Sequence, residues 1–183
     1  MSERRLIIGV DPGLDGGIVM LAPGASIQVE GMPTIKVGTR REYNAAAIAD
    51  ILDNWVTSDW YGDGASYDPA FHVRLVVESI HAMPLKLGGG IANFQRGLAR
   101  GIWVGIAETM RLPQIWVAPQ KWQREMLRGL PAGTTKQRSV LAARREYPHV
   151  ELRAPGTTSR KPHEGIADAL CIATWWLRQR EGK

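Results

Sequence analysis

Residues 6–21 read LIIGVDPGLDGGIVML and contain two apolar runs separated by a polar, glycine-rich segment. Residues 6–10 and 18–21 carry the β-branched side chains that favour strands, and the proline and glycines between them favour tight turns. A further run at residues 26–30 follows closely. The sequence therefore predicts an antiparallel meander of three strands, with Asp11 at the end of the first strand.

The rest of the chain combines two more predicted strands with four predicted helices. Apolar side chains recur at helical spacing over residues 43–56, and residues 91–110, 134–147 and 163–180 also favour helices. Short apolar runs at residues 73–77 and 114–117 favour strands, whereas residues 57–69, rich in Asp, Gly and Tyr, favour a loop. This order predicts an α/β fold with a mixed central β-sheet flanked by helices, formed by a single domain over residues 1–183.

The composition indicates a globular protein, with 44% hydrophobic and 22% charged residues among 183. The apolar runs are too short to span a bilayer and no signal-peptide pattern precedes them, so we expect a cytoplasmic protein without membrane contact. The single cysteine, Cys171, excludes an internal disulfide framework and a cysteine-based zinc site. Any bound metal would therefore use oxygen or imidazole ligands.

The positive charge is concentrated in one part of the chain. The net charge is +5, and residues 119–161 contain only three acidic residues against a larger basic set: Lys121, Arg124, Arg128, Lys136, Arg138, Arg144, Arg145, Arg153, Arg160 and Lys161. This stretch favours a polyanionic partner such as nucleic acid. A solvated basic face is the alternative interpretation.

Two predicted strands end in a carboxylate, Asp11 in one case and Glu78 in the other. A carboxylate at the end of a buried strand is unfavourable unless a charged group compensates it. Asp11 precedes Pro12-Gly13 and could instead serve only to start a turn. The second strand-end acid favours a shared site.

Residues 161–170, KPHEGIADAL, add two more carboxylates. Glu164 and Asp168 lie four residues apart on one face of the predicted helix, where like charges repel unless a cation lies between them. Glu164 alone could instead complement the helix dipole. Together the four acids form an all-oxygen set suited to two Mg²⁺ or Mn²⁺ ions per site, the arrangement that hydrolyses phosphodiesters.

The motifs carrying these acids resemble those of RuvC-type Holliday junction resolvases. IIGVDPG (residues 7–13) is similar to the family's opening strand, and HEGIADAL (residues 163–170) to its closing acidic helix, especially in phage and poxvirus members. Val76-Val77-Glu78, the segment 90–105 with Phe94, and Pro119-Gln120-Lys121-Trp122 occur between them in the family's order. The opening strand alone also resembles actin-like ATPases and sugar kinases, but 183 residues hardly accommodate the two lobes of that fold.

This resemblance implies an RNase H-like homodimer, a crossover junction endodeoxyribonuclease that nicks two strands of a four-way junction symmetrically. Its catalytic and metal-binding residues would be Asp11, Glu78, Glu164 and Asp168. Bacterial members usually carry an acidic or imidazole group where this chain has Gly165. Glu164 and His163 are therefore alternative candidates for the fourth ligand.

The resemblance also suggests which residues contact DNA. Lys121 and Lys136 match family positions, and with Arg124, Arg138 and Lys161 they are candidates for phosphate contacts. Phe94 would stack on an unpaired base, unless it is an ordinary core residue. Other RNase H-like nucleases acting on flaps, forks or RNA–DNA hybrids, and a non-catalytic DNA-binding module, are the alternative functions.

Gly97, Gly101 and Gly105 repeat every four residues in a predicted helix, where each costs about 1 kcal/mol relative to alanine. Close packing of the helix on its own sheet is one explanation. The other, which the resemblance supports, is close helix contact across a two-fold axis between two copies of the chain.

Overall fold

The computed structural model describes residues 6–22, 27–58, 72–84 and 89–181. Its strands are β1 (Leu6–Asp11), β2 (Gly17–Leu21), β3 (Gln28–Gly31), β4 (Thr34–Val37), β5 (Arg40–Tyr43), β6 (Val73–Glu78) and β7 (Gln114–Val117). Its helices are α1 (Ala45–Ser58), α2 (Gly90–Thr109), α3 (Pro119–Met126), α4 (Thr135–Glu146) and α5 (Glu164–Glu181).

The main sheet is mixed and has the strand order β3-β2-β1-β6-β7. Strands β1, β2 and β3 form the predicted antiparallel meander, while β6 pairs parallel with β1 and β7 pairs parallel with β6. Helices cover both faces of this sheet. The predicted α/β fold with a mixed central sheet flanked by helices is therefore confirmed.

Alternating side chains of β1 enter two different apolar cores. Leu6, Ile8 and Val10 pack on the side of α1 and α2, whereas Ile7 packs on the side of α3, α4 and α5. Gly9 lies where α5 crosses the strand, and a Cβ there would collide with the carbonyl oxygen of Ala169. This close approach brings the first turns of α5 next to the end of β1.

The hairpin formed by β4 and β5 was not predicted. Its strands carry mostly charged and exposed side chains and turn at Gly38, whose φ is +60°. Tyr43, expected to begin a helix, instead ends β5, and Asn44 caps α1 by accepting the Ala47 amide N–H at 3.1 Å. An Asn at this position satisfies a backbone donor that the first helical turn leaves unpaired.

Smaller differences concern element boundaries. Helix α3 was missed, although Pro119 occupies its first turn and the buried Trp122 and Met126 lie four residues apart. The third strand begins at Gln28 and not at residue 26, which lies outside the described residues. Most of the loop predicted at residues 57–69 is also outside them, and residues 57 and 58 end α1. None of the helices that the structure describes is long and apolar enough to cross a membrane.

Candidate active site

The sheet topology places Asp11 beside Glu78. Strands β1 and β6 are parallel neighbours with Val10 paired to Val77, so the residues that follow lie together at the carboxyl edge of the sheet. Asp168 approaches the same edge from α5, which packs across β1 and β2. Three acids that are far apart along the chain are thus brought to one region.

The electrostatic environment of these three carboxyls disfavours their ionised forms. Burial raises the pKa of Glu78 to about 8, with the charges of Asp11 and Asp168 acting in the same direction. Burial also raises the pKa of Asp168 to about 7, where the charge of Asp11 adds to the effect and Ser139 opposes it. The pKa of Asp11 is raised by burial as well, against a lowering by the Gly13 amide. Ionising all three groups together is therefore unfavourable without a nearby cation.

Asp168 provides the clearest indication of what the site can bind. The residue is 8% exposed, and its Oδ1 atom is buried without a hydrogen-bond partner among the residues that the structure describes. Leaving such an acceptor unpaired is costly, and a cation bound to it would remove that cost. Oxygen-only donors are also those that Mg²⁺ and Mn²⁺ prefer. The donor chemistry therefore fits a divalent cation.

The carboxyls are neighbours without forming a closed ligand cage. In the part of the chain that the structure describes, no three His, Cys, Asp or Glu side chains form a metal-binding cluster as they stand. Mutual repulsion favours separation of like charges. Binding a cation would therefore require the side chains of Asp11, Glu78 and Asp168 to turn toward each other.

The candidates for a fourth ligand differ in what they contact. Glu164 begins α5, is 46% exposed, and lies 3.5 Å from Nζ of Lys136. The Nδ1 atom of His163 accepts the Ile166 amide N–H at 3.3 Å, so this imidazole caps the helix. Gly165 has no room for a side chain, since a Cβ there would lie 2.5 Å from the backbone of Gly16. Glu164 is therefore the stronger candidate for the fourth ligand, because its carboxylate is partly exposed whereas Nδ1 of His163 is already engaged.

Two aromatic residues support the acids in ways that sequence analysis missed. Trp122, which ends the motif that begins at Pro119, is buried and donates its indole N–H to Oε1 of Glu78 at 3.4 Å. Tyr43 donates its hydroxyl to the carbonyl of Pro12 at 3.0 Å and so holds the loop that follows Asp11. Burial and the charge of Asp11 raise the pKa of Tyr43 to about 12, which keeps it a neutral donor. No local sequence signal indicates either contact.

The predicted DNA-contacting residues are mostly on the surface. Lys121, Arg124, Lys136 and Lys161 are exposed, and the charge of Lys136 lowers the pKa of both Asp11 and Asp168, which places it near the acids. Arg138 is different, because its guanidinium donates to the Leu127 carbonyl at 2.7 Å.

Phe94 is 67% exposed on α2, so its interpretation as an ordinary core residue is wrong. The three glycines of the same helix are exposed too, and a Cβ at Gly97, Gly101 or Gly105 would meet no atom of the described residues within 4 Å. Packing of these glycines on the sheet of their own chain is therefore also wrong. Both features leave part of α2 open to solvent.

A cleft of about 700 Å³ opens beside the acids. Asp11, Glu78 and Tyr43 line one part of it, while Gln95 and Arg96 line it from α2. The size is in the range of sites that bind small molecules or single nucleotides. The acidic edge is therefore accessible to a substrate of that size.

The fold is α/β with a mixed central sheet, and the solved structures to which the chain is similar include two of a RuvC protein. One is T. thermophilus RuvC in complex with Holliday junction substrate, at 16% identity over 95% of this chain and 96% of that one, with a TM-score of 0.49. The other is Thermus thermophilus RuvC, at 19% identity over 96% of each chain, with a TM-score of 0.47. No protein-family model and no curated protein matches the chain. At such identity the likeness concerns the path of the chain, and the chemistry of the site depends on its own residues.

We expect the metal-free protein to become more stable as the pH falls from 8 to 5. The raised pKa values of Glu78 and Asp168 mean that the folded state binds more protons than the unfolded state in this interval. Their favourable contribution is therefore complete below the unfolded values near 4 and is lost as the pH rises through 7 and 8. Glu78→Gln should raise the melting temperature in EDTA at pH 8 and have little effect at pH 5. An equal effect at both pH values would contradict the burial of an ionisable group at this position.

Proposed function

We propose that the chain is a divalent-metal-dependent endonuclease that resolves four-way DNA junctions by paired symmetric nicks. The observation that carries this proposal is the meeting of Asp11, Glu78 and Asp168 at one sheet edge, with Asp168 Oδ1 buried and unpaired. These three residues, with Glu164 as the fourth, would hold Mg²⁺ or Mn²⁺, two ions per site. The bound cations would supply activation of water and stabilisation of charge on the phosphodiester.

The remaining residues of the site position these acids. The indole of Trp122 fixes one oxygen of Glu78, and the Gly13 amide donates to Oδ1 of Asp11 at 3.2 Å. The hydrogen bond from Gly13 shows that Asp11 also stabilises the turn that follows it. Lys136 pairs with Glu164 and its charge acts on Asp11. Its ammonium group would exchange Glu164 for the phosphate of an incoming DNA strand.

Recognition of DNA would depend on backbone charge and on base stacking. Lys121, Arg124 and Lys161 are exposed cations that suit phosphate contacts, which position a duplex without reading its sequence. The exposed ring of Phe94 could stack on an unpaired base at the junction centre, worth about 1–3 kcal/mol. The guanidinium of Arg138 is already bound to a carbonyl, so its contribution to DNA binding should be the smallest of the set.

A homodimer is part of the proposal because two opposed strands must be cut. The glycine face of α2 (Gly97, Gly101 and Gly105) has open space above it, which would permit close approach of the same helix from a second copy. We expect sedimentation velocity to detect a dimer at micromolar concentration. A monomer under these conditions would contradict the dimer and leave the metal site unaffected.

A panel of DNA substrates tests the function directly. Synthetic four-way junctions, flaps, forks, RNA–DNA hybrids and linear duplexes should be incubated with Mg²⁺, with Mn²⁺ and with EDTA. We expect metal-dependent cuts in two opposed strands of the junction, giving nicks that DNA ligase seals. Preferred cutting of flaps, forks or hybrids would instead indicate another RNase H-like nuclease. Junction binding without any metal-dependent cutting would indicate a non-catalytic DNA-binding module.

A further inference from the structure

Arg96 is a cation on the wall of the cleft beside the acids, and no ion pair or hydrogen bond links its side chain to any of the described residues. It lies on α2, and together with Asp11 and Glu78 it lines the cleft of about 700 Å³. Its Nη1 atom is buried and has no hydrogen-bond partner among the described residues. A buried charged donor without an acceptor is unfavourable, so the protein alone gives no reason for this arrangement.

The surroundings of Arg96 indicate the kind of ligand that its guanidinium would bind. Within the described part of the chain, the carboxylates of Asp11 and Glu78 share the cleft with Arg96 but no salt bridge joins them to it. The α2 wall otherwise presents the neutral residues Ala92 and Gln95. An anion entering the cleft would therefore find an arginine ready to bind it. The planar set of N–H donors on a guanidinium matches the oxygens of a phosphate group.

Arg100, the next arginine of α2, has a contact within the protein that Arg96 lacks among the described residues. It lies one turn further along the helix, and its guanidinium stacks on the ring of Trp116 at 4.3 Å from the ring centroid. The two arginines carry the same charge on the same helix, but only Arg96 lines the cleft. Arg100 is thus a matched control for the loss of one positive charge.

We propose that Arg96 binds a backbone phosphate of the DNA inside the cleft and so positions the strand across Asp11 and Glu78. Arg96 is then a positioning residue and takes no part in the chemical step. The inference rests on the proposed function for its substrate, whereas the unpaired Nη1 atom and the cleft are independent of any reaction.

The first measurement compares the affinity of wild type, Arg96→Gln and Arg100→Gln for a fluorescent four-way junction in EDTA, by anisotropy. Losing a charge-assisted hydrogen bond should weaken binding by Arg96→Gln about tenfold or more. Arg100→Gln should weaken it by less than about threefold, as expected for a distant charge. The melting temperature of Arg96→Gln should be unchanged or higher, because an unpaired buried charge is removed. Equal weakening by both variants would overturn the assignment.

The second measurement locates the phosphate with junctions that carry one neutral methylphosphonate at successive positions around the cut site. Wild type should lose affinity when the methylphosphonate stands at one particular position. At that position Arg96→Gln should bind the modified junction as tightly as the unmodified one. If the loss of affinity caused by the methylphosphonate and the loss caused by Arg96→Gln are additive at every position, the role of Arg96 is overturned. Failure of the proposed function has a different signature, namely wild type that binds the junction but never nicks it with Mg²⁺ or Mn²⁺. Wild type that binds no DNA would overturn both.

Discussion

Asp168→Asn is expected to abolish cleavage of a four-way junction while leaving junction binding in EDTA unchanged. The substitution keeps the size of the side chain and removes the charge of an oxygen that is buried and unpaired in the structure. A cation held there contributes several kcal/mol to the transition state, so the cleavage rate should fall by about a thousandfold or more. Single-turnover cleavage with saturating enzyme measures this rate without interference from binding.

Asp15→Asn is the matched control for that experiment. Asp15 is also an aspartate near Asp11, but it is exposed and pairs with Arg41 at 2.5 Å. The Asp15→Asn variant should cut the junction at a rate within about threefold of wild type, since exposed ion pairs contribute little. Retained cleavage by Asp168→Asn, or equal loss in both variants, would contradict the assignment of Asp168 to the metal site.

Gly165→Ala is expected to destabilise the fold at the point where α5 meets the loop after β1. A Cβ at this position would collide with the carbonyl of Asp15 and lie 2.5 Å from the backbone of Gly16, neither of which can move as a flexible side chain would. Overpacking of this kind costs about 1–3 kcal/mol or more. The melting temperature should therefore fall by roughly 3–10 °C. Cleavage should fall as well, because the same turn positions Glu164 and Asp168.

Gly90→Ala provides the comparison, since a Cβ at Gly90 would meet nothing within 4 Å. Alanine is the better helix former, so this variant should melt at the same temperature as wild type or slightly higher. A Gly165→Ala protein that melts like Gly90→Ala would show that the close contact between residue 165 and the loop is wrong.

The parts of the fold that were predictable are those with a strong local signal. The apolar runs that become β1, β2, β6 and β7 are short and rich in β-branched side chains, which favours strands. The acids at two strand ends mark a common edge once the strands are parallel. The β4–β5 hairpin was missed because its two strands have only four residues each and are mostly exposed, so that the alternation of Ile35 and Val37 is too short to indicate a strand. Helix α3 was missed because eight residues are too few for a clear helical pattern.

The parts of the site that were not predictable depend on contacts between distant elements. The hydrogen bond from Trp122 to Glu78 joins residues 44 positions apart, and the burial of Arg96 Nη1 depends on how α2 packs over the sheet edge. The sequence of α2 likewise left two interpretations for Phe94 and for the glycines, because a helix of this composition could turn either face inward. Ala99, Trp103 and Ala107 are the residues of α2 that enter the core, so Phe94 and the glycines face outward, and their proposed contacts with DNA and with a second copy stay predictions.

Titration calorimetry with Mn²⁺ tests most directly whether the carboxylates of residues 11, 78 and 168 form one cation site. Wild type should bind Mn²⁺ at pH 7.5 with an enthalpy that varies with the ionisation enthalpy of the buffer, because pKa values of about 8 and 7 for Glu78 and Asp168 require protons to be released. The double variant Asp11→Asn/Asp168→Asn should show no such binding, while Asp15→Asn should bind as wild type does. Undiminished Mn²⁺ binding by the double variant would contradict the account.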